Sequence, residues 1–234
     1  MRHLNNIPDL SGFGGVSVQV ENVVIPLASC MLVTAFFIVE SRRLRSSAYS
    51  YIAQSSLLVG VFLSIATLIP EPHFYIWAIT AAITKVLIAP WLVLRTIAKL
   101  GVEFEEKPVI PTIPSYIADF SLMILGFWLG FNLPLPILKP GFRICFGTSL
   151  TLMFLGIYGM TGKSCAIKQT ICLCHLENGI HLLLATLAYA TPITVEVGIL
   201  TDAVLAIAIM LYLSTLIKRV SGSLSTYRLS SLRW

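Results

Sequence analysis

The sequence predicts an all-α integral membrane protein of seven transmembrane helices, with the N-terminus outside and the C-terminus inside. Three observations carry this expectation. Of the 234 residues, 56% are hydrophobic and only 12% charged, where soluble domains carry about twice that charged share; mean hydropathy is +0.86. The apolar residues fall in blocks long enough to cross about 30 Å of hydrocarbon. These blocks are apolar on every side, unlike the alternating strands of an outer-membrane barrel. Finally, Lys and Arg concentrate on alternate loops.

The spacing predicts helices over 23–40, 51–70, 74–95, 116–136, 142–160, 168–189 and 195–217. Each is delimited by polar or helix-breaking residues: SRRLRSS after the first, PEPH after the second and VEFEEKPVIPTIPS after the third. PLPILKPG, TGKSCAIK and TPITVE delimit the remaining four. No segment outside the spans is long enough to form a soluble domain. A division into a four-helix region over 1–140 and a three-helix region with a basic tail over 141–234 is expected.

Orientation follows from the cations. With the first loop inside, the inner side holds Arg42, Arg43, Arg45, Arg95, Lys99, Lys107, Lys163, Lys168, Lys218, Arg219, Arg228 and Arg233. The outer side holds only Arg2, Lys139 and Arg143, and Lys85 lies within a span. The net charge of +5 is thereby read as topology. Cations spread over several loops do not suggest a nucleic-acid partner; the partner is the lipid bilayer. The first twenty residues lack the basic start and apolar run of a signal peptide.

Ionisable residues inside spans are costly, and are functional candidates for that reason. Lys85 lies about 16 Å into the third predicted helix, and Glu177 about 13 Å into the sixth. Asp202 lies about 10 Å into the seventh, and Asp119 near the inner start of the fourth. His181 is four residues beyond Glu177, on the same helix face. Burial favours the neutral form of an acid or a base, so such groups can exchange protons where a solvated ion pair does not. Glu177, Lys85, Asp202, His181 and Asp119 are therefore the candidate proton-transfer residues. His175 reads as a core histidine. Asn178 can donate and accept beside Glu177, while Gly179 permits close approach of a backbone or of water. Thr148, Thr151 and Tyr158 form a polar stripe, read as helix–helix glue. Pro90 is expected to kink the third helix and free carbonyls near Lys85. The five cysteines show no CxxC or zinc spacing and read as buried apolar residues.

The stretch GIYGMTGKSCAIKQTICLCHLENGIHLLL, followed by TPITVEVGILTDAVLAIAIMLYLSTLIKR, resembles the K-type subunit of respiratory complex I. The fuller resemblance is to hydrogenase-4 component E and its relatives, with Glu177–Asn178–Gly179 as the shared ENG motif. Glu196 and Asp202 correspond to the family's later acidic positions, and Lys85, Pro90, Arg95 and Lys99 to its third-helix pattern. The loop TGKSCAIK departs from the arginine-rich loop of that family, and neither histidine is a feature of it.

The resemblance implies a non-catalytic membrane-arm subunit of a hydrogenase-like or complex I-like oxidoreductase in the inner (cytoplasmic) membrane. Its partners would be antiporter-like and hydrogenase-like subunits. The chain itself would hold no cofactor; iron–sulfur clusters and a nickel–iron centre would belong to partner subunits. Glu177 would carry protons, with Lys85 and Asp202 as relay or field-setting partners. A stand-alone secondary transporter or ion channel is the alternative, although no repeat relates the two halves. A retinal protein would need a lysine in the last helix, and residues 195–217 contain none.

Overall fold

The computed structural model describes residues 13–68, 73–105, 109–134, 142–187 and 193–226. Among them, seven helices are long and apolar enough to cross a membrane. They are α1 (Phe13–Glu40), α2 (Leu44–Leu68), α3, α4 (Thr112–Asn132), α5 (Arg143–Gly162), α6 (Ala166–Leu187) and α7 (Ile193–Ser221). The third is composite, with α-helical pieces His73–Ala81 and Ala89–Leu100 flanking a π-helical segment, Ala82–Ile88.

Helices α1, α2, α3 and α7 run longer than the predicted spans, whereas α4 and α6 keep the predicted length and start four and two residues earlier. The segment SRRLRSS is mostly helix, since α2 already begins at Leu44. A short α1–α2 turn suffices because its backbone is held from outside. Leu44 N–H donates to Glu103 O at 3.0 Å, and Glu105 N–H to Arg42 O at 2.8 Å. The α5–α6 turn is tied to the C-terminal segment in the same way, Ala166 N–H to Leu224 O and Thr226 N–H to Ser164 O. Helix α3 stops at Gly101, whose φ of 61° ends it in the left-handed conformation.

Pro90 acts differently from the expected kink. A proline in a helix lacks an N–H and crowds the carbonyl four residues back. Here the turn before it is widened, and Ala89 N–H donates to Thr84 O, five residues back. Lys85 sits within this π-helical segment, a feature that recurs at functional sites.

Helix α6 is central, packing against α1, α2, α3, α5 and α7. Its contact with α5 is close because small residues face it. A Cβ on Gly156 would lie 2.8 Å from Leu176 Cα, and one on Gly179 2.9 Å from the Met153 backbone nitrogen. The close approach expected at Gly179 is thus to a backbone. Helices α4 and α7 are the least covered spans.

The apolar core has two parts. One joins Leu58, Phe62, Phe74, Trp77, Ala81, Leu182 and Ala185 with residues of α1 and α5. The other joins Leu44, Ala48, Ala89, Val93, Ile97, Ile167 and Ile171 with residues of α7. On α2, α3 and α6 the change from one part to the other brackets Gln54–Ser55, Lys85 and His175–Asn178. A polar layer therefore separates two apolar ones.

Candidate functional site

The polar layer is assembled by α2, α3 and α6. Lys85 Nζ lies 3.6 Å from Glu177 Oε2 and donates to Asn178 Oδ1 at 3.2 Å. Asn178 Nδ2 donates to Gln54 Oε1 and Ser55 Oγ, at 3.2 and 3.1 Å. Gln54 Nε2 donates to Met31 O at 3.1 Å, which leaves its Oε1 as acceptor for His175 Nδ1–H at 2.8 Å. His181 Nδ1–H donates to the Glu177 carbonyl at 2.8 Å. In each neutral imidazole the Nε2 lone pair is then unspent, and both Nε2 atoms are buried without a hydrogen-bond partner. Glu177 Oε2 likewise has no hydrogen bond.

This geometry has two consequences. The carboxylate and ammonium attract each other in a medium that screens poorly. Yet the contact is longer than a hydrogen bond and leaves carboxylate capacity unused. Such a site can hold, release or pass a proton with small side-chain movement. The layer unites Lys85, Glu177, Asn178 and His181 from the sequence-derived candidates and adds His175, Gln54 and Ser55. Gln54 and Ser55 gave no signal beyond being polar residues inside an apolar block.

The other candidates lie elsewhere. Asp202 is exposed on α7 and takes no part in the layer. The side chain of Glu196 is outside the described residues. Asp119 is not an interfacial first-turn charge: α4 begins at Thr112, and Asp119 is fully buried, with neither carboxylate oxygen hydrogen-bonded. Its neighbour is Glu40 of α1.

Asp119 borders a second ionic group, near the ends of α1 and α5, that the loop-charge reading missed. Lys163 Nζ donates to Glu40 Oε1 at 2.8 Å and to Ser115 Oγ at 3.2 Å. Ser115 Oγ donates to Glu40 Oε1 at 2.6 Å, so Tyr158 OH must be the donor in its 2.7 Å contact with Ser115 Oγ. Nearby, Lys168 is fully buried and donates to Ser41 O at 2.7 Å and Ser47 Oγ at 3.0 Å. Lys163 and Lys168 are therefore not solvated topology charges. Their partners are more than 120 residues away in sequence for the closest bonds, which no loop count reveals. Tyr158 leaves the α5 stripe to join this group, while Thr151 donates to Gly147 O of its own helix at 2.9 Å and reaches Met123 O of α4 only at 3.5 Å, and Thr148 Oγ1 has no hydrogen bond, so the stripe is weaker helix–helix glue than expected.

A cleft of about 150 Å³ opens on this group, lined by Glu40, Arg42, Glu105, Ser115 and Lys163 among others. Burial pushes Glu105 above its ordinary pKa of 4.5, against the pull of Lys168 and Lys163. Burial alone would lower Lys163, but the hydrogen bond and charge of Glu40 outweigh it and hold the ammonium above its ordinary 10.5. Among the described residues, no three His, Cys, Asp or Glu side chains converge as a metal site.

Among the described residues, seven apolar helices of membrane-spanning length enclose a buried lysine–glutamate pair, the architecture of a multi-pass membrane protein, and comparison with known proteins gives its family. Residues 144–234 match the family NADH-ubiquinone/plastoquinone oxidoreductase chain 4L. The chain is 31% identical to hydrogenase-4 component E of Escherichia coli K12 over 214 residues, 90% of this chain and 97% of that protein. The counterpart in Shigella flexneri matches equally well. An uncharacterised protein of Mycobacterium tuberculosis H37Rv is 25% identical over 64% of this chain and 68% of its own length. No solved structure matches. The chain belongs to the hydrogenase-4 component E family.

Proposed function

We infer that this chain is a membrane-arm subunit of a complex I-like oxidoreductase in which Glu177, paired with Lys85, moves protons in step with electron transfer in other subunits. The observation that carries this reading is the loose Lys85–Glu177 pair, 3.6 Å apart in a polar layer between two apolar ones. A buried charge pair is a poor stabiliser, because desolvation offsets much of its attraction. Its natural use is to change occupancy: a charge arriving nearby alters the protonation of the pair, and the pair alters its neighbours in turn. Family membership supports the setting, since relatives bear the name of a hydrogenase component and of an oxidoreductase chain.

In this reading the chain lies in the cytoplasmic membrane with the Lys163–Lys168 end inside, the N-terminus outside and the C-terminus inside. Antiporter-like and hydrogenase-like subunits are its neighbours, and they hold the iron–sulfur clusters and any nickel–iron centre. The chain itself supplies no catalytic group. Asp202, exposed within an apolar helix, would meet a polar group of a neighbouring subunit there rather than Glu177.

The test is redox-driven proton translocation by the complex in membrane vesicles, with Glu177→Gln in this chain. The expected outcome is an assembled complex that transfers electrons but translocates about a hundredfold fewer protons through this subunit. Unchanged translocation would remove Glu177 from the mechanism. Ion transport by the purified chain alone would favour the stand-alone transporter.

A further inference from the structure

The interface of α2 with α6 carries polar groups well beyond the Lys85–Glu177 layer. On α2, Ser47, Tyr51, Gln54 and Ser55 are spaced to share one face, and all are buried. On α6, Lys168, His175 and Asn178 face them. The two helices start at the same end of the molecule, so their polar residues are in step. Lys168 bonds Ser47 at one level, and Asn178 bonds Gln54 and Ser55 at the next, ten residues or about 15 Å further along α6.

Tyr51 fills the interval. Its hydroxyl is buried beside Ser55 and Cys174 and makes no hydrogen bond of good geometry to either. An unspent buried hydroxyl costs free energy and calls for an explanation. Cys174 occupies the same level, and its thiol is a weak donor and acceptor. The lower end of the seam also has spare capacity. Lys168 has three protons and two acceptors. Glu105, at the cleft, has a buried Oε1 without a partner and faces Lys168, Lys163, Glu40 and Arg42.

We propose that the α2–α6 seam is the proton path to the Lys85–Glu177 pair, with its mouth at Glu105 and Lys168 and Tyr51 as the relay at its midpoint. This rests on the proton-handling reading of that pair. The steps are proton transfers only. Glu105 takes a proton from water in the cleft, and Lys168 hands one of its own to the seam and is reprotonated from Glu105. Tyr51 breaks its O–H bond toward the Ser55–Asn178 level as it accepts a proton from the Ser47–Lys168 side, so no charge remains on it. Ser55 acts in the same double role, a hydroxyl being both donor and acceptor, and the proton ends on Glu177, whose Oε2 has no hydrogen bond; Ser47 joins the relay by turning its hydroxyl away from Ile38 O, to which it donates at 2.6 Å.

The experiment uses the whole complex in vesicles with Tyr51→Phe, which deletes one oxygen and keeps the ring, and with Ser55→Ala in parallel. Each is expected to assemble, to keep its uncoupled electron-transfer rate and to translocate protons about tenfold more slowly. The slowing should ease as pH falls on the Glu105 side, because proton supply limits the rate; a packing defect would not respond to that side alone. Glu177→Gln is the control. If it leaves translocation intact, the underlying reading of the pair fails. If it blocks translocation while either seam variant runs at the wild-type rate, the seam is overturned and the pair stands.

Discussion

Two buried ion pairs in this chain are built to opposite specifications. Lys163 and Glu40 meet at 2.8 Å, and Ser115 Oγ spends its donor on Glu40 and both acceptor positions on Lys163 and Tyr158. Lys85 and Glu177 stand 3.6 Å apart, with Glu177 Oε2 and two histidine nitrogens unspent. The saturated pair ties the ends of α1, α4 and α5 together and resists change. The unsaturated pair keeps room for a proton. Charge placement alone does not distinguish a fastener from a carrier; the direct hydrogen bond within the Lys163–Glu40 pair and its absence between Lys85 and Glu177 do, even though Asp119 and Glu105 at the edge of the first pair keep unspent oxygens.

The largest effect that would sharpen this contrast comes from stranding a charge. Lys85→Met leaves Glu177 without its cation and should cost about 3–5 kcal/mol, read as lost assembly or a lower unfolding temperature in detergent. Lys85→Met with Glu177→Gln should recover much of that loss, because the double variant buries no unpaired charge. Failure of this recovery would mean that Lys85 matters for packing and not for pairing.

Lys163→Met should cost about 2–4 kcal/mol by orphaning Glu40 and Ser115, while the protons moved per electron by complexes that do assemble stay unchanged. A changed ratio would break the distinction between the two pairs. Gly179→Ala should cost about 1–3 kcal/mol, since its Cβ would sit 2.9 Å from the Met153 backbone nitrogen.

The saturated pair also carries a pH signature. Its Lys163 is held above 10.5 in the folded chain, so its contribution is fully present below that value and is lost as pH rises through the higher folded value. Glu105 is raised above 4.5, so the stability linked to its protonation is present below 4.5 and fades as pH rises through its folded value. Glu105→Gln should remove that acid-side component of a stability–pH curve and leave the alkaline one. The smallest effect belongs to Asp202→Asn. On an exposed face it should shift the stability of the isolated chain by about 0.5 kcal/mol or less, read by unfolding in detergent.

Much of the fold was legible because the bilayer makes hydropathy explicit. Seven apolar blocks became seven helices, and the burial of Lys85 and Glu177 followed from their depth within those blocks. Helix ends were less legible. Leu44–Ser47 looked like loop because Arg43, Arg45 and two serines cluster there, yet backbone bonds to Glu103 and Glu105 shorten the turn. The apolar pattern places Asp119 near the inner start of the fourth helix, whereas α4 begins four residues earlier, at Thr112, and carries Asp119 into its buried part. Glu40, Lys163 and Lys168 sat at span ends, where a charge is ordinary, and so gave no sign of their burial.

The sequence by itself determined the class of environment, the seven membrane-length apolar helices found among the described residues and the candidate pair, because each depends on local composition and on depth along one helix. Only the tertiary structure decided which charges meet. It joined Lys85 to Glu177, left Asp202 outside, and turned two loop-end lysines into buried ones. The physical reason is that charge–charge and hydrogen-bond energies depend on distances of a few ångströms between residues that the chain brings together only by packing α6 among its neighbours.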